Sequence, residues 1–398
     1  MPRLTSMLAL ALLGAACTAE TAPSTTTTPP PTSTITTTGP GRLAVVDDDG
    51  NIVVIDADGS NRVEVAAPGA GGQTFGQPIW SPDGSSVSWA QVGPDGFAYV
   101  IQGLESESRS EVAFAQYPFY AYWSPTGETL GVLRNGETGV VFELLKVGGA
   151  TTSVVDSETP YYFSWSPEGD GLVAHAGAGV LTNRDDSGIE ESSGRTSAGY
   201  LAPQWLEQGI LHVDEEELVL ETPAGDRTEV AEVGELTTFV ANRQGTKIAI
   251  QTLSSDDAVS VSLAAAATIP FNSLVIVDIA TGEVFTVHDG RAVAFFWSPN
   301  GESLLVLALN DSRDSLVPRV WRGEESKEYG PYAPSPVQVR DLFPFFPQYA
   351  QSLSFWSADS MSFVLVGAIG AESGVWVQDV DETDPRLVSG GSWAAWSP

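Results

Sequence analysis

From residue 43 onward, short apolar runs rich in Val, Leu and Ile alternate with polar segments that contain Gly, Pro, Asp, Asn and Ser. Runs of roughly four to eight such residues, bounded by turn formers, are typical of β-strands. Examples are Ser86–Ala90, Thr129–Leu133 and Ser303–Leu307. No amphipathic helical stretch of any length interrupts the pattern, which therefore predicts an all-β chain.

A short phrase recurs between these strands and defines a repeat. It reads Trp-Ser-Pro, then Asp, Thr, Glu or Asn, then Gly, and it starts at Trp80, Trp123, Trp165 and Trp297, with a closing copy at Trp396. Weaker copies start at Trp205, Ala241 and Trp356. Pro presets the backbone of a turn and Gly accepts a left-handed conformation, so each phrase predicts a hairpin after a strand that ends in Trp.

Each phrase is followed by three further strand-like runs before the next phrase begins. Four strands in a repeat of roughly 40 to 45 residues are typical of a β-propeller blade. The Trp-Ser-Pro-Asp-Gly phrases, together with Asn51–Asn61, resemble the repeats of TolB-type propellers, which are WD40-like, and related repeats occur in prolyl oligopeptidase-like peptidases. The resemblance covers residues 42–398 and implies a propeller, but its motifs specify fold far more than function.

The two ends of the chain are expected to share one blade. Seven units start at the phrases from Trp80 to Trp356, and Trp396 begins an eighth that the C-terminus leaves incomplete. Three strand-like runs within residues 43–65 lack an inner strand of their own, and we expect them to pair with residues 392–396. This gives eight blades; seven is the alternative if the unit at Ala241 or the one near Trp356 is degraded. Deletion of residues 391–398 is then expected to unfold the ring.

The N-terminus has the composition of an export signal. An apolar run follows Arg3, ends in small residues before Cys17 and is too short to span a bilayer. Leu13–Cys17 resembles a bacterial lipobox, which implies a signal peptide of residues 1–16 and acylation of Cys17, the only cysteine of the chain. Residues 17–41, rich in Thr and Pro, are expected to tether the propeller of residues 42–398 to a membrane. Simple secretion is the alternative.

The chain is strongly acidic, with 18 basic and 51 acidic residues and a net charge of −33. Such a surface repels a phosphate backbone, so we expect no nucleic acid partner. Asp-rich turns such as Asp47–Gly50 do not match the calcium-binding loop of EF-hands, and hairpin turns explain them. The sequence therefore predicts a monomer with a solvated acidic surface and no cofactor.

Two longer spacings between phrases locate insertions at Leu253–Phe271 and Lys327–Gln351. The first is expected between a second and a third strand and the second in a connection between blades, both on the face opposite the Trp-Ser-Pro-Asp-Gly turns. The two insertions are also expected to belong to neighbouring blades, so they could meet there. Aromatic rings of the second insertion suit the binding of a protein, a peptide or a glycan. The candidate binding residues are Tyr329, Tyr332, Phe343, Phe345, Phe346 and Tyr349. The alternative is that these rings fold down and plug the central channel.

The chain offers little for catalysis, since it lacks the Gly-x-Ser-x-Gly elbow of a hydrolase. A metal ion held by His175, His212 and Asp214 would permit a lyase or hydrolase, as metal-using oligogalacturonate lyases with similar repeats suggest by analogy. Ordinary buried histidines are the alternative. We therefore expect an exported, membrane-tethered binding or scaffolding module, with a metal-dependent polysaccharide lyase or hydrolase as the second hypothesis.

Overall fold

A computed structural model of the protein describes residues 39–398, except 70–71, 107, 150, 160, 178, 189, 197–200, 216, 234–235, 254–259, 263–267, 271 and 324. The predicted signal peptide, Cys17 and the tether up to residue 38 lie outside the described residues. Among the described residues, no helix is long and apolar enough to cross a membrane. Eight four-stranded antiparallel sheets form a β-propeller, which confirms the predicted fold and the number of blades.

The chain begins in the outer part of the closing blade, blade 8, and then builds blades 1 to 7 in order. Blade 8 contributes β1 (Arg42–Val46), β2 (Ile52–Asp56) and β3 (Val63–Ala66). Blade 1 consists of β4 (Thr74–Trp80), β5 (Ser86–Gly93), β6 (Gly96–Gly103) and β7 (Arg109–Phe114). Blade 2 consists of β8 (Pro118–Trp123), β9 (Thr129–Asn135), β10 (Val140–Lys146) and β11 (Thr152–Glu158). Blade 3 consists of β12 (Tyr161–Trp165), β13 (Gly171–Ala176), β14 (Val180–Asp185) and β15 (Glu190–Thr196).

The second half of the ring continues in the same way. Blade 4 consists of β16 (Gln204–Leu206), β17 (Gly209–Asp214), β18 (Glu217–Glu221) and β19 (Arg227–Glu232). Blade 5 consists of β20 (Leu236–Ala241), β21 (Lys247–Leu253), a small hairpin of β22 (Ser260–Ser262) and β23 (Thr268–Pro270), then β24 (Ser273–Asp278) and β25 (Val284–Asp289). Blade 6 consists of β26 (Ala292–Trp297), β27 (Ser303–Leu309), β28 (Leu316–Arg322) and β29 (Glu325–Glu328). Blade 7 consists of β30 (Ala333–Pro334), β31 (Ser362–Ile369), β32 (Glu372–Asp379) and β33 (Arg386–Ser389), and β34 (Trp393–Trp396) completes blade 8.

The second strand of a blade is buried on both faces, because each sheet packs between two neighbouring sheets. In β27, every residue from Ser303 to Ala308 is buried. The outer strand β11 is half-exposed to exposed along its length. This packing explains why the apolar runs of the sequence are continuous and do not alternate with polar residues.

The two ends of the chain close the ring as predicted. In blade 8, β34 is the inner strand and pairs antiparallel with β1, with Leu43 opposite Trp396 and Val46 opposite Trp393. The Ser397 N–H donates to the Arg42 carbonyl at 2.8 Å, and the Ser392 N–H donates to Val46 at 2.9 Å. The C-terminal strand is therefore held along its whole length.

The tryptophans of the repeated phrase connect neighbouring blades. Four of them donate the indole N–H to a backbone carbonyl of the preceding blade. The acceptor is the residue just before the one that begins the phrase of that blade. These bonds join Trp80 to Ala395, Trp165 to Tyr122, Trp297 to Val240 and Trp356 to Phe296, at 2.9 to 3.2 Å. Each of these four phrases thus ends an inner strand and also fixes its blade against the preceding one.

Blade 5 lacks this tryptophan, and a glutamine amide of blade 4 takes its place. The Gln204 Nε2 donates to the Phe239 carbonyl at 3.0 Å, and its Oε1 accepts from the Ala241 N–H at 2.8 Å. The same arrangement joins blades 5 and 6, where Gln251 binds both the N–H and the carbonyl of Ala292. The unit at Ala241 is therefore a complete blade, and the seven-bladed alternative does not apply.

Antiparallel connectivity gives the ring two distinct faces. The turns between first and second strands, such as Ser81–Gly84, lie on one face, which we name the turn face. Gly84 has a φ of 67° and donates its N–H to the Ser81 carbonyl at 2.9 Å, as the turn requires. The connections between blades lie on the opposite face, which we name the insert face.

Candidate functional site

The inner strand of blade 7 is interrupted by a helical insert. Pro334 lies opposite Gly367, and Trp356 lies opposite Phe363. Because antiparallel partners move in opposite directions along the chain, an uninterrupted strand that pairs Pro334 with Gly367 would place Gln338, not Trp356, opposite Phe363. The segment Pro336–Leu353 lies between these two pairs and is not part of the strand. We name it the insert. The prediction that Lys327–Gln351 lies in a connection between blades was wrong. The inner strand of blade 7 already begins with β30, and the insert interrupts that strand.

The insert is compact. A turn of π-helix (Gln338–Leu342) is followed by a 3₁₀ turn (Phe343–Phe345) and by α1 (Phe346–Ser352). Pro344 and Pro347 occupy the first turns of the 3₁₀ turn and of α1, where a missing N–H costs nothing. Proline breaks a helix when it lies in the interior, because it has no N–H and its ring clashes with the preceding turn. The insert therefore consists of short helical turns that begin near its prolines.

The insert lies in the central channel and is bound there through Gln348. The Gln348 Oε1 accepts from the Phe163 N–H at 3.0 Å, and Nε2 donates to the Phe163 carbonyl at 2.7 Å and to the Tyr120 Oη at 2.9 Å. Tyr120 Oη in turn lies 2.9 Å from the Ser352 Oγ. Gln348, Phe163 and Tyr120 are buried, so one amide side chain satisfies the backbone of Phe163 in blade 3 and binds the Tyr120 hydroxyl of blade 2.

The insert also contacts the opposite side of the channel. Phe346 packs edge-on against Phe295 of blade 6, with ring centroids 4.9 Å apart. The Tyr349 hydroxyl donates to Gln77 of blade 1 at 2.8 Å. The Gln351 Nε2 donates to the carbonyl of Pro203, at the start of blade 4, at 3.1 Å. The insert therefore fills the channel by touching blades all around it.

Five of the six aromatic candidates are buried, so they are not displayed on the outer surface of the insert. Phe343, Phe346 and Tyr349 lie in the channel, as in the alternative that the rings plug it. Tyr329 and Tyr332 lie beside the inner strand of blade 7, where the Tyr329 hydroxyl donates to the Val380 carbonyl at 2.8 Å. Only Phe345 among the six is exposed. Burial of an aromatic ring is favoured because it removes a large apolar area from water.

A cavity of about 780 Å³ opens on the insert face above blades 1 to 3, and we name it the first cavity. The insert supplies one wall, and the beginnings of the inner strands supply the others. Its aromatic lining consists of Phe75, Tyr117, Phe119, Tyr120, Tyr161, Tyr162, Phe345 and Tyr349. Arg340 and Asp341 form a two-bond ion pair at its rim, with both N–O distances at 2.6 Å. The volume lies in the range of about 300 to 1,000 Å³ that is common for ligand sites.

The polar groups of the first cavity act by hydrogen bonding. Burial raises the pKa of Tyr117, and it raises the pKa of Tyr120 and Tyr349 further above the ordinary value of a phenol. These hydroxyls are therefore neutral donors at physiological pH. Gln77, which accepts from Tyr349, has a φ of 51° at a bulge in β4. A strained residue of this kind at a cavity wall is typical of a binding site.

A second cavity of about 870 Å³ opens on the same face above blades 5 to 7, and we name it the second cavity. Val339, Phe343 and Phe346 of the insert form one wall. Leu236 of blade 5 and Leu309 of blade 6 also line it. Phe345 and Tyr162 line both cavities, so the insert divides the mouth of the channel in two.

Each of the three predicted metal ligands has another partner in the fold. The His175 Nδ1 lies 2.9 Å from the Leu201 carbonyl, and the His212 Nε2 lies 3.4 Å from Glu221. Asp214 forms an ion pair with Arg227. Burial lowers the pKa of both histidines, so both are neutral at physiological pH. Within the described part of the chain, no three His, Cys, Asp or Glu side chains are placed to hold a metal ion.

The other insertion lies in blade 5 and is separated from the insert by blade 6. Its hairpin, β22 and β23, contacts β19 on the outer side of blade 4. The rest of Leu253–Phe271 includes positions outside the described residues. The expectation that the two insertions belong to neighbouring blades was wrong, because the second one lies inside blade 7.

Sequence reasoning missed the part of the site that the repeats themselves supply. Phe75, Phe119 and Tyr162 lie at the beginnings of inner strands, a few residues before the Trp of each phrase. Alignment of the units on their tryptophans would have placed aromatic rings together at the insert face of blades 1 to 3. The repeated phrase lies at the other end of each inner strand, on the turn face, so the phrase alone does not indicate these rings.

The solved structures that are similar to this chain share little sequence with it. No family model matches the chain, and no curated protein sequence matches it. Similar solved structures include TolB from Acinetobacter baumannii (16% identity, TM-score 0.38), which covers 71% of this chain and 61% of TolB. Others are the Cps50 (Swd1) β-propeller domain of Myceliophteria thermophila (13%, 0.48; 71% of this chain, 94% of that one) and an oligogalacturonate lyase in complex with manganese (12%, 0.47; 88% and 85%). At this level of similarity none of them is evidence of a shared activity.

Proposed function

We propose that this protein is an exported β-propeller, tethered to the cell envelope, that binds a protein, peptide or glycan on its insert face. The observation that carries the proposal is the insert, which fills the channel and walls two open cavities. A segment that only stabilised the ring would have no need to leave Phe345 exposed between them. Concave apolar sites with a few polar groups are where proteins hold ligands.

The described residues begin on the turn face of the ring. The carbonyl of Pro40 accepts from the Ala358 N–H, in a turn of blade 7 on the turn face, at 3.3 Å. A partner bound at either cavity, on the insert face, would therefore lie away from the point where the described chain enters the ring.

The hypothesis of a metal-dependent lyase or hydrolase rested on two histidines and an aspartate. These side chains bind other partners, and they do not line either cavity. No observation in the described residues favours catalysis, so binding is the function that we propose.

The test compares two variants that each replace one exposed apolar side chain. Phe345→Ser alters the insert face, and Leu387→Ser is the matched control on the outer strand of blade 7. Both positions are exposed, so neither change is expected to unfold the ring. Immobilised propeller is incubated with detergent-solubilised envelope from the cells that make it, and captured molecules are identified by mass spectrometry. The proposal expects a partner that the wild type and Leu387→Ser retain and Phe345→Ser loses; equal capture by both variants would overturn it.

The tether is tested separately. Acylation of Cys17 predicts that the mature protein partitions into the detergent phase and that Cys17→Ser abolishes this partitioning. An unchanged distribution of Cys17→Ser between membrane and soluble fractions would contradict the anchor and favour simple secretion.

A further inference from the structure

Exposed apolar side chains are concentrated at the second cavity. Across the described residues, nine large apolar side chains are exposed, and four of them line this one cavity. They are Leu236 (59% exposed), Val339 (53%), Phe345 (47%) and Leu309 (46%). Scattered exposed apolar residues are normal, whereas a contiguous group around a concave surface marks an interaction site.

Two arginines border the same cavity without a carboxylate partner among the described residues. Arg291 lies in the connection between blades 5 and 6, and Arg313 lies in the turn between β27 and β28. Eight other arginines of the described chain are paired with a carboxylate. In a chain with 51 acidic residues, two cations at one cavity that have no carboxylate partner among the described residues are candidates to bind an external anion.

One acidic group also lines the cavity, and its hydrogen bonds are local. The Asp314 carboxylate accepts from Asn310, Ser312 and Ser315 in its own turn, and these bonds lower its pKa. The described lining therefore carries two positive charges and one negative charge, which leaves a net charge of one positive unit. A ligand with a single carboxylate balances it, while a polyacidic ligand would be repelled by the net charge of −33.

The kind of lining distinguishes between ligands that could carry this carboxylate. Three of the four exposed apolar side chains, Leu236, Leu309 and Val339, are aliphatic and have no flat face on which a sugar ring could stack, and Phe345 is the one ring among the four. Their exposure shows that the cavity is open, so a lipid chain lying in it would keep much of its length in water. Separate apolar side chains around an open cavity fit the separate side chains of a peptide.

We propose that the second cavity binds the C-terminal segment of a polypeptide, with apolar side chains against Leu236, Leu309 and Val339 and with the α-carboxylate near Arg291 and Arg313. An apolar C-terminus provides one carboxylate beside apolar side chains with no further charge. This inference rests on the proposed function and names the ligand class for one of its two cavities.

The experiment measures the affinity for a synthetic peptide in two forms. A fluorescein-labelled hexapeptide that ends in Ala-Leu-Val-Phe is prepared with a free α-carboxylate and as the C-terminal amide. Fluorescence anisotropy with the intact propeller should show that the free acid binds about tenfold more tightly than the amide, which corresponds to one charge-assisted contact. Equal affinities, or no binding of either form, would overturn the proposal.

Arginine variants then locate the carboxylate. Arg291→Gln and Arg313→Gln should each reduce the acid-to-amide ratio, and the double variant should bring it to about one, as expected for a double-mutant cycle. Arg243→Gln is the matched control, because Arg243 also lacks an ion pair among the described residues but lies in a turn on the turn face. An equally large effect of Arg243→Gln would show a general charge effect and contradict the assignment.

Two further outcomes separate the alternatives. Binding of dodecanoate with the same arginine dependence, and without peptide binding, would assign the cavity to a lipid and overturn the proposal. If neither peptide binds while envelope capture still depends on Phe345, the peptide assignment fails and the proposed function stands. If capture does not depend on Phe345, the proposed function itself fails.

Discussion

Gln348 holds the insert in the channel, and its replacement by leucine is the sharpest test of that role. Its amide satisfies both the N–H and the carbonyl that Phe163 directs toward the channel, at 3.0 and 2.7 Å. Gln348→Leu keeps the size of the side chain and removes every polar atom. Water cannot easily replace them, because Gln348 and Phe163 are buried.

The expected loss follows from the two backbone groups that are left without a partner. A buried donor or acceptor that loses its hydrogen bond costs about 1 to 3 kcal/mol, so two of them cost about 2 to 6 kcal/mol. Tyr120 loses one bond but retains Ser352 as a partner at 2.9 Å. Against domain stabilities of about 5 to 15 kcal/mol, this is a large effect for one uncharged side chain.

The matched control is the same substitution at Gln338, which is also buried in the insert. Its Oε1 accepts no hydrogen bond from the described residues, so Gln338→Leu should be close to neutral. Urea unfolding followed by tryptophan fluorescence gives the free energies, and hydrogen exchange reports the Phe163 amide directly. Equal effects of the two substitutions, or unchanged protection at Phe163, would refute the reasoning.

Gln348→Glu adds a dependence on pH. The carboxylate would be buried and would face the Phe163 carbonyl, so its pKa in the folded state should lie above the unfolded value of about 4.3. The folded state then binds the proton more tightly. The destabilisation relative to wild type should be smallest below pH of about 4.3 and should grow as the pH rises through the folded-state pKa. A difference between variant and wild type that is constant with pH would contradict this.

Three further predictions concern the ring itself. Gly131→Ala should lower the free energy of unfolding by about 1 to 3 kcal/mol in urea unfolding, because a Cβ there would lie 2.6 Å from the Phe163 ring. Deletion of residues 391–398 should abolish cooperative thermal unfolding, since it removes the inner strand of blade 8, and an unchanged melting temperature would contradict the closure. Burial lowers the pKa of His175, so the ring should lose stability as the pH falls below about 6.5 toward the folded-state pKa. His175→Gln should reduce the pH slope in that window by up to about 1.4 kcal/mol per unit, and a slope equal to that of wild type would refute it.

The repeat made the fold predictable from the sequence, because every phrase serves two local purposes. Pro and Gly define the turn, and the Trp before them is buried between blades, so each copy indicates a strand, a turn and an interface together. Even the closure by residues 43–65 and 392–396 follows from counting strands. The blade at Ala241 could be counted but not explained, since the Gln204 amide that replaces the tryptophan is bonded to backbone groups 35 and 37 residues away.

The candidate site was harder to predict, because it depends on where one irregular segment folds. The long spacing between two phrases located Lys327–Gln351 and its aromatic rings, yet the sequence could not distinguish an exposed surface from a plugged channel. The decision depends on Gln348 meeting Phe163 and Tyr120, which are 185 and 228 residues away in the chain. No local pattern encodes such a contact, so the burial of five rings and the exposure of Phe345 emerge only in three dimensions.

The register of blade 7 allows the contribution of the insert to binding to be separated from its contribution to folding. Removal of Pro336–Leu353, the in-register deletion, joins Ser335 to Ser354 and makes the inner strand continuous, with Ser335 still opposite Val366 and Trp356 still opposite Phe363. A deletion that ends one position earlier, at Ser352, or one position later, at Ser354, shifts the strand and turns its side chains to the wrong face. These two variants are the out-of-register deletions.

We therefore expect the in-register deletion to fold as an eight-bladed ring, less stable than wild type because the contacts of Gln348, Phe346 and Tyr349 are lost. The out-of-register deletions should be much less stable still. Thermal unfolding of the three variants measures this order, and equal stability would show that the insert does not interrupt a strand. If the in-register deletion folds and captures the same partner as wild type, the binding site lies elsewhere on the ring. If it folds and captures nothing, recognition belongs to the insert, while the repeats supply the scaffold that holds it.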